Sequence, residues 1–168
     1  MIDPIFLLLL VSLAALVSWC AWADVSRRRI PNTAVVAIGL LYPIALAAGC
    51  LPGPWWSGAA VASALFALGL IGFARGAVGG GDVKLAAALG LWAGSADLAG
   101  FVVITAVAGA GLSLLILATR TSPRAHWFNG PILAGPQTGG RDAMGESVPY
   151  GVALAAGGLW IIYGLTAA

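Results

Sequence analysis

Six apolar runs separated by short polar segments cover most of this 168-residue chain. They lie at about 5–23, 34–50, 57–74, 83–95, 98–118 and 148–166. A helix needs about 20 residues to cross the hydrocarbon core of a bilayer, and only the run at 83–95 is clearly short. Only 8% of the residues are charged, against about a quarter in a soluble domain. The pattern predicts an all-α, polytopic membrane protein with about six transmembrane helices.

The basic residues test this arrangement, because six helices would place every one of them on the same side of the membrane. They are Arg27, Arg28, Arg29, Arg75, Lys84, Arg120, Arg124 and Arg141. The opposite side carries Asp3 and Asp97. The positive-inside rule makes the basic side cytoplasmic, so both termini are predicted to be extracytoplasmic. The short run at 83–95 would span only with help from the glycines before it, or would start inside a cavity.

Composition narrows the possible functions. The amino-acid composition does not change along the chain in a way that suggests a second domain, so residues 1–168 are predicted to form a single membrane domain. A net charge of +2 without an aromatic–basic patch argues against nucleic-acid binding. Cys20 and Cys50 form no CxxC pair, and His126 has no second ligand at metal-binding spacing, so neither a metal nor a cofactor is predicted. Asp142 and Glu146 fall in the long loop at 119–147 and are interpreted as solvated.

Two acids stand out at the cytoplasmic boundary. Asp24 ends the first apolar run, and Asp82 opens the fourth, in the segment Gly79-Gly80-Gly81-Asp82-Val83-Lys84. Acids at such positions are functional candidates. If the first and fourth helices pack together, the two carboxylates can share one proton, activate a water and protonate a leaving amine. Glycines beside them would allow a peptide to approach closely.

Plainer interpretations exist for each of these residues. The glycine-rich segment could be a flexible turn between helices. Asp24 could extend to the interface and pair with Arg27 or Arg28. Lys84 lies two residues after Asp82 and would point elsewhere on a helix, so a lipid-headgroup or topology role is its default. The two acids at the same membrane level favour a functional pair.

Three segments, in order along the chain, resemble signatures of the type IV prepilin peptidases. Asp24-Val25-Ser26-Arg27-Arg28-Arg29-Ile30-Pro31-Asn32 resembles the first signature, an Asp and a basic stretch followed by Ile-Pro-Asn. The segment 79–85 resembles the second, Gly-x-Gly-Asp followed by an apolar residue and Lys. The segment 148–153 looks like the Pro-aromatic-Gly opening of the family's last helix.

The resemblance implies a membrane aspartic endopeptidase of the bacterial inner membrane that removes the leader of prepilins or pseudopilins at the cytoplasmic face. Asp24 and Asp82 would be the catalytic pair. The residues expected to shape the site are Gly79, Gly80, Gly81, Lys84, Pro31, Asn32, Pro149 and Gly151. Pro31 is expected to cap the second helix in its first turn. The chain looks like the short form attached to tight-adherence (Flp-type) pilus systems, with no room for the cysteine-bearing methylation region of larger members. Flp-type substrates have a basic leader and a glycine before the cut.

Two alternatives remain open. Presenilin-type proteases also use Gly-x-Gly-Asp, but with a Tyr-Asp partner that is not found in this sequence. A non-enzymatic transporter or a pilus or secretion assembly subunit could use the acids to carry protons or to bind partners. An ion path should place polar groups deep within several helices, whereas both acids here lie at one boundary.

Overall fold

The computed structural model describes residues 3–51, 53–121 and 149–167, without the side chains of 119–121. Within these ranges the chain forms five helices and no strand. They are α1 (Pro4–Arg27), α2 (Asn32–Ala47), α3 (Trp55–Ala74), α4 (Gly80–Thr121) and α5 (Tyr150–Ala167). In the described part of the chain, α1, α3, α4 and α5 are long and apolar enough to cross a membrane, whereas α2 has 16 residues. An all-helical membrane protein is therefore confirmed. The predictions for Arg124, His126, Arg141, Asp142 and Glu146 lie outside the described residues.

The connection between α1 and α2 is short and tightly defined. Arg28 ends α1 in the left-handed conformation, with φ 52°, and its backbone N–H donates to the Asp24 carbonyl at 2.9 Å. The chain then reaches Pro31, which is the N-cap residue of α2, as expected of a capping role, but precedes the first turn rather than lying in it. The Pro31 carbonyl accepts hydrogen bonds from the N–H groups of Ala34 and Val35. This turn holds the basic segment at the end of the helix bundle.

Helix α4 is interrupted at Gly94, whose φ of 51° and ψ of −163° are not helical. The predicted runs at 83–95 and 98–118 both fall in this element, one on each side of the break. A side chain is strained at such a φ, so glycine suits the position. Ser57 of α3 supports the break: its Oγ accepts from the Ser95 N–H at 2.8 Å and donates to the Ser95 Oγ at 2.9 Å.

Contacts on the two sides of Gly94 run in opposite directions along α5. In the first half of α4 (80–93), residue numbers rise along α4 as they rise along α5. Asp82 lies near Asp24, which contacts Gly151 at the start of α5. Leu89, seven residues after Asp82, packs against Gly158, seven residues after Gly151. In the second half (95–121), Gly100 packs against Trp160 and Gly109 against Tyr150, so residue numbers rise along α4 as they fall along α5. The chain therefore reverses direction at Gly94, as two antiparallel helices would.

The core lies between α1, α2, the first half of α4 and α5. Its largest fully buried side chains include Leu13, Ile38, Leu85, Leu89 and Ile161. Large apolar side chains on the outer surface, such as those of Leu68 and Val107, are exposed, as expected where lipid replaces water as the solvent. Glycines at several contacts let the helix backbones approach closely.

Candidate active site

A cavity of about 450 Å³ opens at the end of the bundle where α1 ends and α2 and α4 begin. It is lined by Asp24, Arg28, Arg29, Ile30, Asn32, Gly79, Gly80, Gly81, Asp82 and Lys84. Its walls thus combine two carboxylates, three basic side chains and a run of glycines. The two acids reach it from elements far apart in sequence. The first and fourth helices do not pack closely on each other as predicted; α2 and α5 each pack against both α1 and α4 and bring the two acids to one cavity.

Asp24 lies in the last turn of α1 and is buried, with 8% of its surface exposed. Its Oδ2 accepts a hydrogen bond of 2.8 Å from the backbone N–H of Gly151, in the first turn of α5. The two helices touch at this point, since a Cβ on Gly151 would lie 2.8 Å from both the Cβ and the Oδ2 of Asp24. The positive charge of Arg28 also acts on this carboxylate. Asp24 is therefore oriented from two sides.

Asp82 lies in the first turn of α4 and is partly buried. Its carboxylate folds back over Gly79, so that a Cβ there would lie 2.8 Å from Oδ2, and it lies near the backbone N–H of that glycine. A negative charge is also favoured in the first turn of a helix. The two acids therefore line the same cavity, with the charge of Asp24 close enough to act on Asp82.

Lys84 and Asn32 meet at the rim of the cavity. The Lys84 Nζ donates to the Asn32 Oδ1 at 3.3 Å, which links α4 to the start of α2. Both residues are exposed. From the sequence alone, Lys84 was expected to point away from Asp82; in the structure it lines the same cavity, because α2 supplies a polar partner on that side.

The predicted glycines lie where the backbone is crowded. Gly80 packs against the ring of Phe73, and Gly81 packs against the side chain of Ile30. Side chains at these positions would narrow the cavity or push its walls apart. The segment is therefore more than a turn, since each of its three glycines contacts a specific neighbour.

The ten predicted site residues fall into two groups. Seven line the cavity: Asp24, Asn32, Gly79, Gly80, Gly81, Asp82 and Lys84. The other three flank it. Gly151 contacts Asp24 directly, Pro31 precedes α2, and Pro149 is fully buried just before α5, with its carbonyl accepting from the Val152 N–H.

Two basic residues and one apolar residue of the cavity were not predicted as part of the site. Arg28 and Arg29 were assigned to membrane topology, and Ile30 was noted only within the Ile-Pro-Asn signature. Their position between Asp24 and Asn32 could have indicated this role. Only four residues connect α1 to α2, so these side chains must lie close to the ends of both helices. Arg27 points elsewhere: its guanidinium lies 5.8 Å from the ring centroid of Trp22.

Metal-binding side chains do not cluster in the described ranges, where no group of three or more His, Cys, Asp or Glu residues could hold an ion. Cys20, one turn before Asp24, is buried and free, as expected of a small packing residue.

Comparison with protein-family models gives a match to the type IV leader peptidase family over residues 8–114. The chain belongs to the type IV leader peptidase family. The resemblance found in the sequence is thereby confirmed, and the matched segment contains both Asp24 and Asp82. Membership supports leader-peptidase activity and prepilin-type substrates in general. No curated protein and no solved structure gives a significant match.

Proposed function

We propose that this leader peptidase is a membrane aspartic endopeptidase that cleaves Flp-type prepilins or pseudopilins after the glycine that ends their leader. Asp24 and Asp82 would act as its acid/base pair. The observation that carries the proposal is the shared cavity: two carboxylates from the ends of different helices enter it, and each lies against the backbone of a glycine, Gly151 for Asp24 and Gly79 for Asp82. Two acids that served only to orient the chain in the membrane would not need to be held together in one cavity.

The proposed chemistry uses one water and the two carboxylates. Two acids that share a site hold a proton between them and titrate as a unit. The charged carboxylate takes a proton from the water while the protonated one polarises the scissile carbonyl. The water oxygen bonds to the carbonyl carbon. The C–N bond then breaks, and the leaving amine receives a proton from the pair.

The walls of the cavity suit an extended peptide. Gly79, Gly80 and Gly81 present backbone in place of side chains, which leaves space for a substrate strand. Lys84 and Asn32 at the rim are proposed to position the peptide, whereas Pro31, Pro149 and Gly151 set where α2 and α5 begin. The apolar helix of the pilin would stay in the bilayer while its cytoplasmic end reaches the carboxylates.

The proposed topology has six membrane-crossing segments in one domain, with α2 and both halves of α4 each crossing once. The reversal at Gly94 supports this count. The positive-inside rule places the cavity in the cytoplasm, because Arg28, Arg29 and Lys84 lie around it. The protein would then reside in the bacterial inner membrane with both termini outside the cytoplasm.

The experiment is reconstitution of the purified protein with a Flp-type prepilin, with cleavage read by mass spectrometry. Asp24→Asn and Asp82→Asn should each abolish cleavage after the leader glycine. The matched control is Asp3→Asn, the same change at the other end of α1, where Asn can also cap the helix. Thermal unfolding of each variant tests its fold. Cleavage by a folded Asp24→Asn or Asp82→Asn protein would refute the pair, and no cleavage of any pilin by folded wild type would refute the proposed activity.

A further inference from the structure

A second cavity, of about 160 Å³, lies at the opposite end of the bundle from Asp24 and Asp82. It forms where α2 ends, α3 begins and α4 breaks at Gly94. Its walls include three aromatic residues, Tyr42, Trp55 and Trp92, and one charged residue, Asp97. Nothing in the proposed peptidase mechanism uses this cavity.

The polar atoms of the aromatic residues are already bonded within the protein. The Tyr42 hydroxyl donates to the Trp55 carbonyl at 3.2 Å, and the Trp92 Nε1 donates to the Ile38 carbonyl at 3.1 Å. The rings of Tyr42 and Trp92 pack edge to face with centroids 5.8 Å apart. Trp92 is almost fully buried, so the rings that still have surface to offer a ligand are those of Tyr42 and Trp55.

Asp97 has no such hydrogen-bond partner in the part of the chain that the structure describes. It lies in the first helical turn after Gly94, where a negative charge is favoured. On its α5 side it meets Gly164, where a Cβ would lie 3.0 Å from the Asp97 Oδ1 and no side chain can donate. Among the described residues, none donates a hydrogen bond to this carboxylate and no Lys or Arg lines the cavity.

Asp97 is only partly buried, and its negative charge attracts a cation at this boundary. Aromatic rings favour organic ammonium ions in particular, through the attraction between the positive charge and the ring face. A carboxylate and three aromatic residues around one small cavity thus match an alkylammonium group of a few heavy atoms. They do not match an anion.

We propose that the Asp97 cavity binds an alkylammonium group, supplied by the ethanolamine headgroup of a phospholipid. The location favours a lipid source. Trp55, which lines the cavity, and the next residue, Trp56, open α3 with 62% and 60% of their surfaces exposed, and exposed tryptophans mark the headgroup level of a membrane. An amine at that depth would arrive on a lipid.

The test uses the purified full-length protein in detergent, with phosphatidylethanolamine or phosphatidylglycerol added and bound lipid counted by native mass spectrometry. Wild type should retain at least about fivefold more phosphatidylethanolamine than phosphatidylglycerol, a difference of about 1 kcal/mol. Asp97→Asn should remove the preference. Asp3→Asn, a matched change at an acid outside the cavity, should keep it.

A second variant and a soluble probe sharpen the result. Trp55→Leu leaves the carboxylate and removes one exposed ring, and we expect it to reduce phosphatidylethanolamine retention by at least about twofold. Displacement of the lipid by millimolar ethanolamine would show that the ammonium group is recognised. If free ethanolamine bound as tightly as the lipid, the ligand would be a free amine rather than a phospholipid headgroup. Equal retention of the two lipids by wild type, or an undiminished preference in folded Asp97→Asn, would overturn the proposal.

Discussion

The backbone N–H of Gly151 donates a 2.8 Å hydrogen bond to the Oδ2 of Asp24, although 127 residues separate them. This bond joins the first turn of α5 to the last turn of α1 and holds an acid at the mouth of the cavity. An Asp at a helix end would otherwise extend towards water and basic neighbours. Asp82 in turn folds back over Gly79, so each carboxylate lies against a glycine.

Replacing Gly151 with alanine is expected to disturb both the fold and the site. The added Cβ would lie 2.8 Å from the Cβ of Asp24, which cannot move without shifting α1. Overpacking of this kind costs about 1–3 kcal/mol. We expect lower thermal stability and roughly a 10²-fold loss of prepilin cleavage, because Asp24 is displaced. Both can be measured on protein purified in detergent.

Gly111→Ala is the matched control, since a Cβ at this helical position would meet nothing within 4 Å. It should leave cleavage unchanged and stability equal or slightly higher. Wild-type cleavage by Gly151→Ala would show that the contact between α1 and α5 does not position Asp24.

Gly79→Ala should separate activity from stability. Its Cβ would lie 2.8 Å from the Oδ2 of Asp82, but this atom is the end of a short side chain that can rotate away. We therefore expect unfolding within about 0.5 kcal/mol of wild type, as for surface changes, and roughly a 10²-fold fall in cleavage from the misplaced carboxylate. Full activity in this variant would mean that the observed Asp82 orientation is not needed for catalysis.

Ser57→Ala tests the support of the α4 reversal. The change removes the acceptor of the Ser95 N–H beside Gly94, and leaving a buried donor unpaired costs about 1–3 kcal/mol. Ser63→Ala, on the same helix, removes only an exposed bond to the Ala59 carbonyl and should have little effect. Thermal unfolding compares the two. Equal stability of both variants would count against the role given to Ser57.

Local patterns in the chain were enough to predict the class of fold and the candidate pair. Apolar runs and a low content of charge identify helices in lipid regardless of how they pack. Asp24 and Asp82 could be placed on one side of the membrane by counting helices, because each crossing reverses the chain. The contact between Lys84 and Asn32 could not be predicted this way, because spacing within one helix does not reveal what a neighbouring helix presents.

The sequence by itself determined that the chain is a helical membrane protein, that its two boundary acids lie at one end, and that it resembles the leader peptidases. Only the tertiary structure decided that the reversal between the runs at 83–95 and 98–118 falls at Gly94, that Gly151 is the partner of Asp24, and that Asp97 shares a cavity with three aromatic residues. The physical reason is distance along the chain. Hydropathy and motif spacing report on residues a few positions apart, whereas Ser57 meets Ser95 across 38 positions and Asp24 meets Gly151 across 127, and such contacts depend on how closely whole helices approach.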